Sequence, residues 1–194
     1  MSKTPTRSVV SAPNFVPKEI STPNKDQPGL SKTIFSHVSN LHGLLKDWVK
    51  IKDKGVKFCR GISSVKLHEC SPEYYPQQLE PLTKGLIEAL NGLNDIVEGV
   101  NLLNNQLKAL AKLQPSDQPV IFTWSALHIS EGVTKLYKSL VQEFHLKELV
   151  VENIAHCRDE KLIEVYISSW EFDAYLNWNS TAYLFAECGL ASIA

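Results

Sequence analysis

Apolar residues recur every seven positions across 79–113. Leu79, Leu86, Leu93, Val100 and Leu107 hold one heptad position, and Leu82, Ala89, Ile96, Leu103 and Leu110 fall three residues later. An a/d seam kept in register over that length predicts an α-helix. The residue before three successive a positions is Gly85, Gly92 or Gly99. Glycine inside a helix costs about 1 kcal/mol against alanine, so a glycine stripe beside the seam predicts that a backbone comes close there. The simpler alternative is an ordinary core helix that happens to carry glycines. The stripe is taken as an edge gripped by a helix of another chain, which makes Gly85, Gly92 and Gly99 candidate partner-binding residues.

The proline-free stretch 31–68 carries a matching pattern. Ile34, Val38, Leu41, Leu45, Trp48, Ile51, Phe58, Ile62 and Val65 alternate at spacings of three and four, with Gly55 in the slot between Ile51 and Phe58. Ser31 is placed to cap this helix. In the break before the second helix, Ser71-Pro72-Glu73 resembles a helix start, and Pro76 and Pro81 are expected to make the first turns irregular. Both long helices come to about 50 Å at 1.5 Å per residue. Their short connection predicts an antiparallel hairpin. With no second buried face foreseen on either helix, the C-terminal half or a partner should cover the rest of their seams.

Beyond Pro119, Ile129, Val133, Leu136, Tyr137, Leu140, Val141 and Phe144 form a broad apolar face that Leu149, Val150 and Ile154 extend. Thr123 or Ser125 would cap this helix, and Asp159 the next one, whose face is Leu162, Ile163, Tyr166, Ile167 and Trp170. A last helix should stop at Gly189 with Leu190 as the hydrophobic residue of a Schellman-type end. The fold class is therefore all-α: a long, coiled-coil-like antiparallel hairpin with shorter C-terminal helices packed on it. The expected organisation is a tail over 1–29 and one helical domain over 30–194, with helices at 30–68, 79–113, 125–156, 159–172 and 179–188.

Composition narrows the function. Five of the 10 prolines crowd 1–29 among Ser, Thr, Asn and Lys, and such a segment is expected to stay disordered. Lys+Arg 20 against Asp+Glu 21 gives a formal charge of -1, which argues against a dedicated nucleic-acid binder. The alternative function is nevertheless a nucleic-acid-binding module built on the Lys46–Lys57 cluster, which Asp47 and Asp53 interrupt. No apolar run is long enough to span a bilayer, and no signal-peptide core opens the chain. Cys59, Cys70, Cys157 and Cys188 are scattered without a C-x-x-C, and the pairs His68/Cys70 and His156/Cys157 lack zinc spacing, so no metal and no cofactor is expected. No phosphate loop, nucleophile elbow or zincin motif occurs, and no enzyme activity is expected. Trp and Tyr serve both as interface anchors and as core residues; Trp124, Trp170, Tyr175 and Trp178 are carried as interface candidates.

One set of residues in order carries a resemblance: Phe122-Thr123-Trp124-Ser125-Ala126-Leu127-His128, Lys135-Leu136-Tyr137, Lys147-Glu148, Ile154-Ala155-His156, Tyr166-Ile167-Ser168-Ser169-Trp170, and Glu187 to Gly189. It is densest over 121–175 and resembles the C-terminal half of the cyclin-dependent kinase 2-interacting protein family. Ser125 stands where the family has a proline, and Cys157-Arg158-Asp159-Glu160 where it has a Gly/Pro-containing acidic turn. The resemblance implies a non-enzymatic nuclear adaptor, with the cytoplasm as a second location, linked to replication origins, S-phase kinases and checkpoint signalling. It also implies an AAA+ ATPase assembly with a small helical subunit, acting in large ribosomal subunit maturation and replisome protein turnover. Helical protein partners, that small subunit, AAA+ subunits and cell-cycle kinases are the implied partners.

Thr4-Pro5-Thr6-Arg7 and Thr22-Pro23-Asn24-Lys25 both read T-P-x-[KR], the pattern of a proline-directed kinase site. Thr4 and Thr22 are expected to be labelled by a purified cyclin-dependent kinase, each gaining about -1.5 to -2 charges. Equal labelling of the wild type and a Thr4→Ala/Thr22→Ala variant would reject both sites.

Overall fold

The computed structural model describes residues 28–69, 76–113 and 115–193, which form helices joined by turns and contain no strand. The first two helices, α1 (Pro28–Glu69) and α2 (Leu79–Leu113), run antiparallel, and the glycine stripe shows why they hold one register. A β-carbon on Gly85 would meet the Phe58 ring at 2.5 Å, one on Gly92 would meet Ile51 at 3.0 Å, and one on Gly99 would meet Leu44 at 3.1 Å. Each step of seven forward along α2 is a step of seven backward along α1. Leu82 meets Gly61 in the same register, with the small residue now on the other helix. The close neighbour that the stripe predicted exists, but it is α1 of the same chain. The assignment of Gly85, Gly92 and Gly99 to a partner is thereby corrected: the pattern reports a close approach, and a short connection brings α1 into it first.

All five a residues of α2 are buried to 1% exposure or less, and Ala89, Ile96 and Leu103 are buried at d. The buried surface of α2 is wider than that seam. Val97, Asn104 and Ala111, spaced by seven on the edge opposite the glycines, are buried too. They face α3 (Ala126–Ile154), where Thr134 Oγ1 donates to Asn104 Oδ1 at 2.8 Å. The expectation that α2 has no second covered face is therefore overturned: α2 lies between α1 and α3.

α1 and α3 touch each other little, and the shorter helices α4 (Glu160–Glu171) and α5 (Trp178–Glu187) close the far side. α4 packs on both α1 and α3, and α5 packs on α3. The chain after α5 reaches α1, where His42 Nε2 lies 2.9 Å from the Ala191 carbonyl oxygen and the His42 ring meets Phe185 edge-on. The seams left open by the hairpin are thus covered by the C-terminal half of the chain itself.

Local chemistry sets most helix ends. Ser125 caps α3 by accepting from the His128 N–H, Asp159 caps α4 by accepting from Lys161 and Leu162, and Asn177 caps α5 by accepting from Ser180. α5 ends as a Schellman motif, with Leu190 N–H on the Phe185 carbonyl, Gly189 N–H on that of Ala186, and Gly189 at φ +68°. Ser31 does not cap α1. The helix begins at Pro28, whose fixed φ suits a first turn, and Ser31 lies inside it. Pro81 leaves α2 continuous, because a first-turn residue has no intrahelical acceptor for the N–H that proline lacks. The tail with Thr4 and Thr22, and the Ser71-Pro72-Glu73 start, lie outside the described residues.

Gly85→Ala should destabilise the isolated chain by about 1–3 kcal/mol through overpacking against Phe58. Gly43→Ala, where an added β-carbon meets nothing within 4 Å, should instead stabilise by up to about 1 kcal/mol. Chemical denaturation of the two variants checks the pair; equal shifts would mean that the helices are not in this register.

Candidate functional site

The connection between α4 and α5, residues 172–177, is held from beneath by charges taken out of water. Glu143 and Lys147 lie one turn apart in the middle of the buried stripe of α3, and both are fully buried. The Lys147 ammonium donates to Glu143 Oε1 at 2.6 Å, to the Ser169 carbonyl at 2.7 Å and to the Phe172 carbonyl at 2.9 Å. An ammonium has three donors, and all three are used. Two of them fall on carbonyls at the C-terminal end of α4, where a cation is favoured by the helix dipole. Glu143 turns its other oxygen, Oε2, to the Tyr175 N–H at 2.8 Å. Burial pulls the Lys147 ammonium below the usual lysine range, opposed by the hydrogen bond and charge of Glu143.

A second ion pair completes the support. Lys52 of α1 reaches Asp173 Oδ2 at 2.6 Å, with both side chains nearly buried. Asp173 also accepts from the indole N–H groups of Trp48, at 3.4 Å, and Trp178, at 3.1 Å. The indole of Trp170 donates to the Lys52 carbonyl at 2.9 Å and lies flush on Gly55, where a β-carbon would collide with the ring. The glycine in the α1 seam is therefore a slot for a tryptophan of α4. Arg60 and Glu171 add a two-pronged pair on the surface at 2.9 Å.

These contacts sort the interface candidates. Trp170 is fully buried and belongs to the core, so its reading as a partner anchor is corrected; its ring fills space that Gly55 leaves open. Trp124 and Trp178 are half-buried, and Tyr175 is 49% exposed. Phe172, which is not among the interface candidates named from sequence, is 67% exposed on the same connection. The backbone of both residues is held by the buried pair beneath: the Phe172 carbonyl by Lys147 and the Tyr175 N–H by Glu143. Two exposed aromatic side chains on a backbone held by hydrogen bonds make a candidate contact surface, since a backbone already held loses less ordering entropy on binding.

The Lys46–Lys57 cluster does not act as one patch. Lys52 is withdrawn into the pair with Asp173, Lys50 lies 2.8 Å from Asp47, and Lys54 sits over the Phe58 ring. Burial pushes the Cys59 thiol up to about 12 and the Cys188 thiol to about 11. Both therefore stay protonated at neutral pH, which suits packing and not nucleophilic attack. No helix among the described residues is long and apolar enough to cross a membrane.

The separate stretches that carry the family resemblance come together in space. The Glu187 carboxylate accepts from the N–H of Thr123, from Thr123 Oγ1 at 2.8 Å and from the N–H of Trp124 at 2.7 Å, tying the end of α5 to the entry of α3. No family model matches the chain. Individual relatives do. The cyclin-dependent kinase 2-interacting protein of Bos taurus is 26% identical over 82% of this chain and 88% of its own length. The protein of that name from Homo sapiens is 26% identical over 84% and 90%, and that from Mus musculus 24% identical over 83% and 89%. The resemblance read over 121–175 thus extends over about four-fifths of the chain, and these proteins are its homologues.

Lys147→Met would leave Glu143 charged, buried and unpaired, and would free two carbonyls at the end of α4. Breaking one partner out of such a pair costs about 3–5 kcal/mol, which an equilibrium urea titration would register. A loss below about 1 kcal/mol would mean that the connection is not held from below.

Proposed function

We propose that this homologue of cyclin-dependent kinase 2-interacting protein is a non-enzymatic adaptor that binds a cyclin-dependent kinase and further helical partners. The single observation that carries the reading is the similarity to proteins of that name over nearly nine-tenths of their length. The aromatic surface of Phe172 and Tyr175 supports it, because held, outward aromatics are the chemistry of protein contact. The finer parts of the proposal come with the resemblance. They are a nuclear location, a place in replication and checkpoint signalling, and membership of an AAA+ ATPase assembly with a small helical subunit in large ribosomal subunit maturation and replisome turnover. The chain's part in each would be to present surfaces and not to carry out chemistry.

The test is retention of a purified cyclin-dependent kinase 2–cyclin complex on the immobilised full-length chain across a range of salt concentrations. Retention should tolerate salt, as an apolar contact does, whereas phosphate contacts weaken steeply with it. Phe172→Ala/Tyr175→Ala should weaken retention by at least about tenfold, or 1.4 kcal/mol, without lowering the melting temperature. No retention of the kinase complex by the wild type would overturn the reading. Unchanged retention by the double variant would move the contact away from the α4–α5 connection.

A further inference from the structure

At the end of the bundle opposite the α1–α2 turn, the last turns of α2 and the first turns of α3 stand apart around a cleft of about 810 Å³. Its walls carry two pairs of lysines. Lys108 and Lys112 project from α2 one turn apart, and Lys135 and Lys138 from α3 at a spacing of three. Between them the floor is apolar, with buried Ala111 and half-exposed Leu127, and Pro115 closes one end. Asp117 and Glu131 are the acids that line it, leaving two lysines in excess in a chain whose formal charge is -1.

None of the four lysines forms an ion pair among the described residues, although Lys50, Lys52 and Lys147 all do. Part of this arrangement has a structural cause. Lys108 and Lys112 lie near the C-terminus of α2, where a cation complements the helix dipole. That cause does not reach Lys135 and Lys138, which lie inside α3. Facing rows of like charge across a concave surface repel one another and raise the local concentration of anions. The volume lies within the roughly 300–1,000 Å³ range of small binding clefts and fits a few residues of peptide.

From this we infer that the α2–α3 cleft docks a short acidic segment of a partner protein that carries an apolar anchor: carboxylates against the four lysines, and a leucine or phenylalanine on the Leu127–Ala111 floor. The inference rests on the adaptor reading and adds a second contact surface, on a different face from Phe172 and Tyr175. A phosphate backbone fits less well. It would leave the apolar floor unfilled.

The experiment is fluorescence anisotropy of the full-length chain with a fluorescein-labelled synthetic peptide, Asp-Asp-Leu-Glu-Phe-Glu-Asp. The same peptide with Ser for Leu and Phe, and an unlabelled DNA duplex as competitor, are run beside it. Saturable binding is expected, weakened about tenfold or more by the serine peptide, by Leu127→Ser and by Lys112→Glu/Lys135→Glu. Lys46→Glu/Lys57→Glu, an equal charge change on exposed positions of α1, should leave it unchanged. If the charge-reversed cleft variant fails to fold, Lys112→Gln/Lys135→Gln gives the same test with weaker repulsion. Absence of saturable binding overturns the inference, as does equal binding of the serine peptide or equal weakening by the α1 control. Competition by DNA stronger than by unlabelled peptide also overturns it. Retention of the kinase complex by the cleft variants separates this failure from a failure of the adaptor reading.

Discussion

Lys147 is the constraint around which the C-terminal half is arranged. A fully buried ammonium is tolerable only when every donor is used and a countercharge lies within hydrogen-bond reach, because its desolvation costs several kcal/mol. Glu143 supplies the countercharge, and the carbonyls of Ser169 and Phe172 take the other two donors. Those partners are available only when α4 ends where it does and the chain turns at Phe172. Glu143 in turn needs a donor for its second oxygen and finds the Tyr175 N–H. Two residues on one turn of α3 thus dictate the path of a connection about thirty residues downstream in the chain. Each hydrogen bond of the pair is directional, so the pair fits the one path that brings Ser169, Phe172 and Tyr175 to it.

The α1–α2 hairpin obeys a different rule, steric and not electrostatic. Large side chains of α1 sit over glycines of α2, and Leu82 of α2 sits over Gly61 of α1. A shift of one residue would drive Phe58 into a side chain instead of a vacancy. Gly55 of α1 repeats the device against α4, with Trp170 as the filling group. Helix propensity is given up at each glycine, by about 1 kcal/mol, and the close contact it allows must return at least that much.

The hairpin was legible because heptad spacing survives reading from sequence alone, and the a positions of α2 are all buried. Asp159 as a cap and the Schellman end at Gly189 were legible because they are local. The misreadings share one cause: a pattern states what kind of neighbour a face requires, not which segment supplies it. Gly85, Gly92 and Gly99 asked for a close neighbour, and α1 answered. Trp170 lay on an amphipathic helix with nothing to distinguish a core from an interface until Gly55 was seen beneath it. The pair Glu143/Lys147 was readable, since both interrupt the stripe that runs from Leu140 to Val150 and Ile154. A charged pair one turn apart inside an apolar face is a signal of a buried bridge. The lysine cleft was not readable, because its walls come from two helices and only the antiparallel packing of α2 on α3 brings them together.

The residues that carry the family resemblance are largely those with structural work. Glu187 ties Thr123 and Trp124, Lys147 fixes the α4–α5 connection, and Trp170 fills Gly55. A likeness concentrated on such residues transmits an arrangement of helices first, and partner choice only through what that arrangement exposes. Phe172, Tyr175 and the lysines of the α2–α3 cleft project from it without being needed to hold it together. The buried pair Glu143/Lys147 holds the backbone from which the Phe172 and Tyr175 side chains are exposed.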